Sequence, residues 1–138
     1  MGKRRKAREI VLQVLYESEF SDSGVDEILK DHAARRSSSA ETIEHAGALL
    51  SAVKDHLPEL DASIGELVAN WDFKRVSLVD KNILRSALAE IMFFPEVPLS
   101  VVINEAIEIA NRYSSTDAGK FINGILDRFA HLHPRDPA

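Results

Sequence analysis

Apolar residues recur at intervals of three and four along most of this chain, and that spacing decides which folds are open to it. The first such segment begins at Ala7 and continues through Ile10, Val11 and Val14, and the clearest one runs from Ile83 to Ile91. Residues at this spacing share one face of an α-helix. Outside these segments, apolar and polar residues do not alternate cleanly over four or more positions, as they do in a half-buried strand. The sequence therefore predicts an all-α fold.

Turn residues and capping residues divide the periodic segments into about seven helices. The predicted breaks are Ser21–Gly24, Arg35–Ser39, Pro58, a point near Trp71, the pair Pro95 and Pro98, and the SSTDAG segment before the last helix. Ser77 is followed three positions later by Asp80, which is the pattern of a capping box at the start of the fifth helix. That helix is predicted to be the main core element.

The size and composition of the chain favour one domain in a reducing compartment. With 138 residues it can bury a core without disulfides or metals, and no linker or repeat divides it, so we expect a single domain over residues 1–138. It contains no cysteine, which is typical of the cytoplasm. Glu9, Gln13 and Glu17 interrupt the stretch behind the basic start, so we expect neither a signal peptide nor a membrane span.

Residues that could catalyse a reaction or bind a metal do not form a specific pattern. The five histidines lack the spacing of a metal site, and Gly119-Lys120 lacks the other residues of a phosphate-binding loop. Glu105 and Glu108 are three positions apart, a spacing that is most often a solvated helix face. We therefore expect no enzyme, no metal and no cofactor.

Charge is distributed unevenly along the chain. The first eight positions contain Lys3, Arg4, Arg5, Lys6 and Arg8, although the formal net charge of the whole chain is -5. Without these five residues, 12 Lys and Arg remain against 22 Asp and Glu, so the rest of the chain carries about -10. The positive end is expected to attract phosphate, and the negative body is expected to attract a basic partner.

The first predicted helix carries further candidate binding residues. Arg4, Arg5 and Arg8 lie within about a quarter turn of one another, beside the apolar face. Arginine-rich segments bind RNA phosphates, although DNA binding and a merely solubilising terminus stay open. Leu12 and Tyr16 lie on the side of Arg5, away from the main apolar face. Either another helix of the same domain or a partner protein could cover them.

Four segments together resemble the NusB family of transcription antitermination factors. They are RRKAREIVLQVLYE, VDKNILRSALAEI, VPLSVVINEAIEIANRY and KFINGILDRF, and their order and separation make the resemblance specific over nearly the whole chain. The resemblance implies two packed three-helix bundles with the basic N-terminal helix on the surface. A related domain precedes an rRNA cytosine methyltransferase, but this chain leaves no room for one, so we expect the free-standing factor.

The resemblance also implies partners. A member of this family binds boxA RNA together with the small-subunit ribosomal protein that acts as NusE. The complex joins RNA polymerase and other Nus factors and suppresses premature termination, chiefly in ribosomal RNA operons. A homodimeric helical interaction protein, with its basic helix masked by a second subunit and without free RNA binding, is the alternative from a different class.

The resemblance and the helical wheel assign residues to these partners. The residues expected at the RNA are Lys3, Arg4, Arg5, Lys6, Arg8, Lys120 and Phe121. The residues expected at the partner protein are Leu12, Tyr16, Asp80, Arg85 and Asp117. Asp80 stands where the family commonly has glutamate, and it could serve only as a helix cap. Phe121 could equally belong to the core.

Overall fold

The computed structural model describes residues 2–35, 38–68 and 75–135, which form α-helices joined by short turns. The helices are α1 (Gly2–Ser18), α2 (Val25–Arg35), α3 (Ala40–Asp55), α4 (Leu57–Leu67), α5 (Leu78–Phe93), α6 (Leu99–Tyr113) and α7 (Thr116–Leu132). No strand occurs within these ranges, so the all-α prediction is confirmed. None of the described helices is long and apolar enough to cross a membrane.

Serine side chains begin two of the helices at the positions that the sequence indicates. The Ser77 hydroxyl accepts the backbone N–H of Asp80 at 3.1 Å at the start of α5, and the Ser115 hydroxyl accepts that of Ala118 at 3.0 Å at the start of α7. Such caps satisfy backbone donors that a helix start leaves unpaired. The sequence predicts that the fourth helix ends near Trp71. In the structure α4 ends at Leu67, and Trp71 lies outside the described residues.

The helices form two groups around one continuous core. The first group is α1, α2 and α3, and the second is α5, α6 and α7. Helices α1 and α3 also pack on α5, while α4 packs on α5 and α7. The largest fully buried apolar side chains come from both groups and from α4: Leu50, Leu60, Ile64, Leu84, Leu88, Ile122 and Leu126. The expected pair of three-helix bundles is confirmed, and α5 joins them.

The basic start of helix α1 lies at the surface, as expected, but one side of the rest of the helix packs into the core. Its buried residues are Ala7, Arg8, Ile10, Val11, Leu12, Val14 and Leu15. Leu12 is only 5% exposed and lines a small cavity with Ile83 of α5 and Ala106 of α6. The same domain therefore covers Leu12, and its assignment to a partner surface is wrong for this structure. The first and last turns of α1 contain its exposed residues, and Glu9 and Gln13 between them are partly exposed.

Candidate functional site

The first turns of α1 present three exposed cations. Lys3 Nζ lies 2.8 Å from the Glu41 carboxylate of α3, and the hydrogen bond and charge of Lys3 lower the pKa of Glu41. Because both side chains of this pair are 58% exposed, the pair contributes little to stability and opens readily. Arg4 and Lys6 are exposed and make no ion pair within the described part of the chain. All three side chains are available to a phosphate.

Arg5 is held by a carboxylate at the edge of this cationic surface. Its Nε and Nη2 donate to the two carboxylate oxygens of Glu105 at 2.9 and 2.6 Å, and the side chains are 34% and 16% exposed. The hydrogen bond from Arg5, with its charge, lowers the pKa of Glu105, and Glu105 raises the pKa of Arg5. A bidentate pair fixes the plane of the guanidinium. The interpretation of Glu105 as a solvated residue is therefore wrong.

Arg8 lies one helical turn beyond Arg4 but is buried. Its Nε and Nη2 donate to the carboxylate of Glu90 in α5 at 2.9 and 2.5 Å, and the two side chains are 9% and 7% exposed. Its Nη1 also lies 3.7 Å from Glu105. The wheel correctly groups the three arginines on one side of α1, but α5 and α6 cover that side at Arg8. Its assignment as a surface RNA contact is therefore corrected.

Replacing Glu105 with glutamine is expected to destabilise the protein at neutral pH and to make it less sensitive to acid. The pKa of Glu105 lies below its ordinary value of 4.5, so its ionised form stabilises the fold above that pH. This contribution is lost as the pH falls through the lowered pKa. We expect Glu105→Gln to cost about 1–2 kcal/mol at pH 7. Urea unfolding at pH 7 and pH 3 should show the gap between parent and variant narrowing; a constant gap would contradict this role.

A further exposed cation, Arg112, was missed by sequence reasoning. Arg112, in the last turn of α6, is 67% exposed and donates to Glu9 of α1 at 2.9 Å. Its guanidinium lies 5.8 Å from the centre of the Tyr113 ring. The NRY sequence at the end of α6 was the available signal, but only the tertiary ion pair with Glu9 places Arg112 beside the N-terminal helix.

The predicted residues of α7 follow the C-terminal end of α6, whereas Arg5 pairs with Glu105 near the middle of α6. Asp117 and Lys120 are exposed in the first turns of α7, and Phe121 is half-buried against the core. A Cβ on Gly119 would lie 2.4 Å from the side-chain oxygen Oδ1 of Asn111 in α6, so the exposed Asn111 side chain would have to move. Asn111 is six residues beyond Glu105, which is about 9 Å along the helix. Lys120 and the basic run therefore flank α6 at separate points.

The last turn of α1 carries an exposed aromatic pair. Tyr16 is 42% exposed and Phe20, in the turn that follows, is 72% exposed. Their ring centres are 5.2 Å apart, which is within the range of a favourable aromatic contact. The sequence had indicated Tyr16 but not Phe20, because the latter lies beyond the periodic segment. Aromatic residues exposed in this way are typical of protein interfaces.

Arg85 is an internal contact between helices, which corrects its assignment to a partner. Its guanidinium donates to both carboxylate oxygens of Asp61 at 2.7 and 2.9 Å and to Glu19 at 3.2 Å. Burial lowers the pKa of Arg85, but the hydrogen bonds and charges of Asp61 and Glu19 outweigh burial and raise it. With its side chain 11% exposed, Arg85 connects α5 to α4 and to the end of α1.

The backbone N–H of Asp80 takes part in the cap of α5, whereas one oxygen of its side chain makes no hydrogen bond among the described residues. Its N–H is bound by Ser77, but its carboxylate oxygen Oδ1 is buried without a hydrogen-bond partner among the described residues. An acidic residue in the first turn is also favourable for the helix dipole. Asp80 therefore contributes to the start of α5, and its carboxylate keeps the capacity to accept a further donor.

The described part of the chain holds no cluster of acidic and histidine side chains that could bind a metal.

The fold and these surfaces define a helical binding protein, with exposed cations at one end of α1 and exposed aromatic rings at the other. The chain belongs to the NusB family, which matches residues 5–131. This is a family of transcription antitermination proteins and not of enzymes.

Relatives of known name support this membership over most of the chain. The chain is 40% identical to the transcription antitermination protein NusB of Koribacter versatilis over 130 residues, which are 94% of this chain and 89% of the relative. It is 38% identical to the protein of the same name from Dehalococcoides mccartyi over 123 residues, covering 89% and 86% of the two chains.

Solved structures share the fold. The chain superposes on T. maritima NusB with a TM-score of 0.88 and 37% identity, covering 96% of this chain and 93% of that one. It also matches a chain in a crystal structure of antitermination factors NusB and NusE in complex with dsRNA. That match has a TM-score of 0.87 and 25% identity, and it covers 96% of this chain and 99% of the other.

Proposed function

We propose that this protein is a cytoplasmic transcription antitermination factor that binds boxA RNA together with NusE. In this role it acts with RNA polymerase and other Nus factors to suppress premature termination, chiefly in ribosomal RNA operons. The observation that carries the proposal is membership of the NusB family over residues 5–131, combined with a cationic surface and an aromatic surface at opposite ends of α1. The solved complex of NusB, NusE and RNA supports it by analogy.

The proposed RNA surface consists of the exposed start of α1. Lys3, Arg4 and Lys6 supply exposed positive charge to phosphates, and Arg5 supplies a guanidinium that Glu105 holds in one plane. Arg8 acts indirectly, because its buried pair with Glu90 fixes the position of this end of α1. Exposed Lys120 and the half-buried ring of Phe121 extend the proposed surface to α7.

The proposed NusE surface lies at the other end of α1. Tyr16 and Phe20 offer apolar area, while Asp80 and Asp117 are acidic side chains at the starts of α5 and α7. The body of the protein is acidic and ribosomal proteins are generally basic, so their charges favour association. A homodimer in which a second subunit masks the basic helix and prevents free RNA binding is the competing arrangement.

NusE is expected to raise the affinity of this protein for boxA RNA by about tenfold or more. When two linked surfaces hold one strand, the second contact becomes intramolecular and strengthens binding without many new contacts. RNA titration with and without saturating NusE of the same organism measures the gain. Equal affinities would contradict joint binding, and a stable dimer that buries Tyr16 and binds no RNA would favour the homodimer.

A further inference from the structure

A hollow lies between the start of α1 and the turn that joins α5 to α6. Its volume is about 410 Å³, which is within the range of sites that hold small ligands. The polar residues that line it are Arg4, Arg8, Glu96 and Glu105, and the other lining residues are apolar. Because exposed Arg4 belongs both to the hollow and to the cationic surface, a strand bound at that surface passes beside the hollow.

The apolar wall of the hollow suits the face of a nucleobase. Val97, Pro98 and Val101 form this wall, and Val101, in the first turn of α6, is 40% exposed. Burial of exposed apolar area is favourable, and the bases of single-stranded RNA are free to turn out of the strand and pack on a protein surface. A hydrated phosphate gains nothing from such a wall.

The turn that carries Glu96 and Val97 is held in place from two sides. The N–H of Val97 donates to the carbonyl of Phe94 at 3.1 Å, and Pro95 occupies the position of this turn that proline favours. Arg135, which follows α7, donates to the Val97 carbonyl at 2.5 Å and to a carbonyl near the end of α5 at 3.1 Å. A turn held in this way presents its side chains to a ligand with little loss of entropy.

Arg8 offers one hydrogen-bond donor to the hollow. Its side chain is only 9% exposed and its Nε and Nη2 are bound by Glu90, but Nη1 makes no hydrogen bond within the described part of the chain. Nη1 is not among the fully buried polar atoms that lack a partner, so it keeps some accessible surface. It lies 3.7 Å from Oε1 of Glu105, which lines the same hollow. A ligand in the hollow therefore meets a donor and an acceptor side by side.

The carboxylates of the hollow favour a base over a phosphate. Glu96 is exposed and makes no ion pair among the described residues, and the oxygens of Glu105 keep lone pairs beyond their bonds to Arg5. A phosphate presents only acceptors, which do not complement carboxylates. The Watson–Crick edge of guanine has one acceptor, O6, followed by two donors, N1–H and the 2-amino group. Guanine therefore matches one cation beside two carboxylates, whereas uracil has only one donor.

We propose that this hollow holds a guanine base of the bound RNA strand. The inference rests on the proposed RNA binding and deepens it, because it names a base that the protein recognises. Arg8 Nη1 donates to O6 of the base, while Glu105 and Glu96 accept from N1–H and the 2-amino group. The face of the base packs on Val101, and Arg4 pairs with a neighbouring phosphate. This contact of Arg8 lies inside the hollow and differs from the surface phosphate contact that its burial excludes.

The test compares single-stranded RNAs that have the same number of phosphates. They are a short oligouridine and the same strand with one central guanosine, inosine, adenosine or cytidine. The parent is expected to bind the guanosine strand about tenfold more tightly than oligouridine. Inosine lacks the 2-amino group and should lose much of that gain. Equal affinity for the guanosine strand and oligouridine, or a larger gain from adenosine or cytidine, would overturn the guanine site.

Two variants with the same change of charge locate the preference for guanosine. Glu96→Gln removes an acceptor of the hollow at an exposed position, and it is expected to reduce the preference to about threefold or less. Glu108→Gln, at an exposed position of α6 outside the hollow, should keep the preference of the parent. A preference that survived Glu96→Gln, or that Glu108→Gln reduced equally, would place the recognition of guanosine elsewhere and overturn this site.

An NMR measurement tests the contact at Arg8 without a substitution that destabilises the protein. The guanosine strand should shift the ¹⁵N resonances of the Arg8 guanidinium, and oligouridine should not, because Nη1 gains an acceptor only from the base. Unshifted resonances in the saturated complex would overturn the guanine site while leaving RNA binding intact. Failure of the parent to bind these strands, or boxA RNA with NusE, would overturn the proposed function and this inference together.

Discussion

Replacing Arg8 with alanine is expected to lower the free energy of unfolding by about 3–5 kcal/mol. The substitution leaves the Glu90 carboxylate buried without its cation, since the two side chains are 9% and 7% exposed and share two hydrogen bonds. It also removes the second cation near Glu105. Urea unfolding at pH 7, followed by circular dichroism, measures the loss.

Two matched variants test the cause of that loss. Arg4→Ala removes the same charge at an exposed position one turn earlier and should change stability by no more than about 0.5 kcal/mol. The double variant Arg8→Met, Glu90→Leu removes both buried charges and should recover much of the stability, because apolar residues can replace a buried ion pair. If Arg8→Ala were as stable as Arg4→Ala, the buried pair would not support the fold.

Replacing Lys3, Arg4 and Lys6 together with alanine is expected to reduce boxA RNA affinity by about a hundredfold at 0.1 M salt. Each phosphate contact on a single strand contributes roughly 0.7 to the slope of log affinity against log salt, so three contacts account for about two units. The fold should persist, because all three side chains are exposed. Binding isotherms over a range of salt concentrations measure both quantities.

A variant with the same change of net charge provides the control. Lys30, Arg35 and Lys54 are exposed on α2 and α3 rather than on α1, and their replacement with alanine should leave the salt slope nearly unchanged. If the two triple variants lost equal affinity, net charge alone would attract the RNA. The start of α1 would then not be its binding site.

Three arginines that a helical wheel groups on one side of α1 lie in different environments in the structure. From sequence, Arg4, Arg5 and Arg8 form one set, and the removal of all three is expected to test RNA binding alone. In the structure they are respectively exposed, held by Glu105 and buried against Glu90. A variant lacking all three would therefore combine a loss of RNA contacts with a loss of stability.

The sequence by itself determined the helical class, most helix boundaries and the location of charge. These properties are local: apolar spacing selects a helix, Ser77 and Ser115 cap the helices that follow them, and the basic run is contiguous. Tyr16 could also be predicted, because the wheel places it off the main apolar face. Each of these inferences needs only residues within a few positions of one another.

Only the tertiary structure decided which of the charged and apolar side chains are available. Leu12 and Arg8 lie on the side of α1 that the wheel separates from the main core, yet α5 and α6 cover that side. Arg8 meets Glu90 across 82 positions, and Arg5 meets Glu105 across 100. A buried charge is stable only beside a partner, and helical periodicity does not specify a partner so distant in sequence because the packing of whole helices brings the two together.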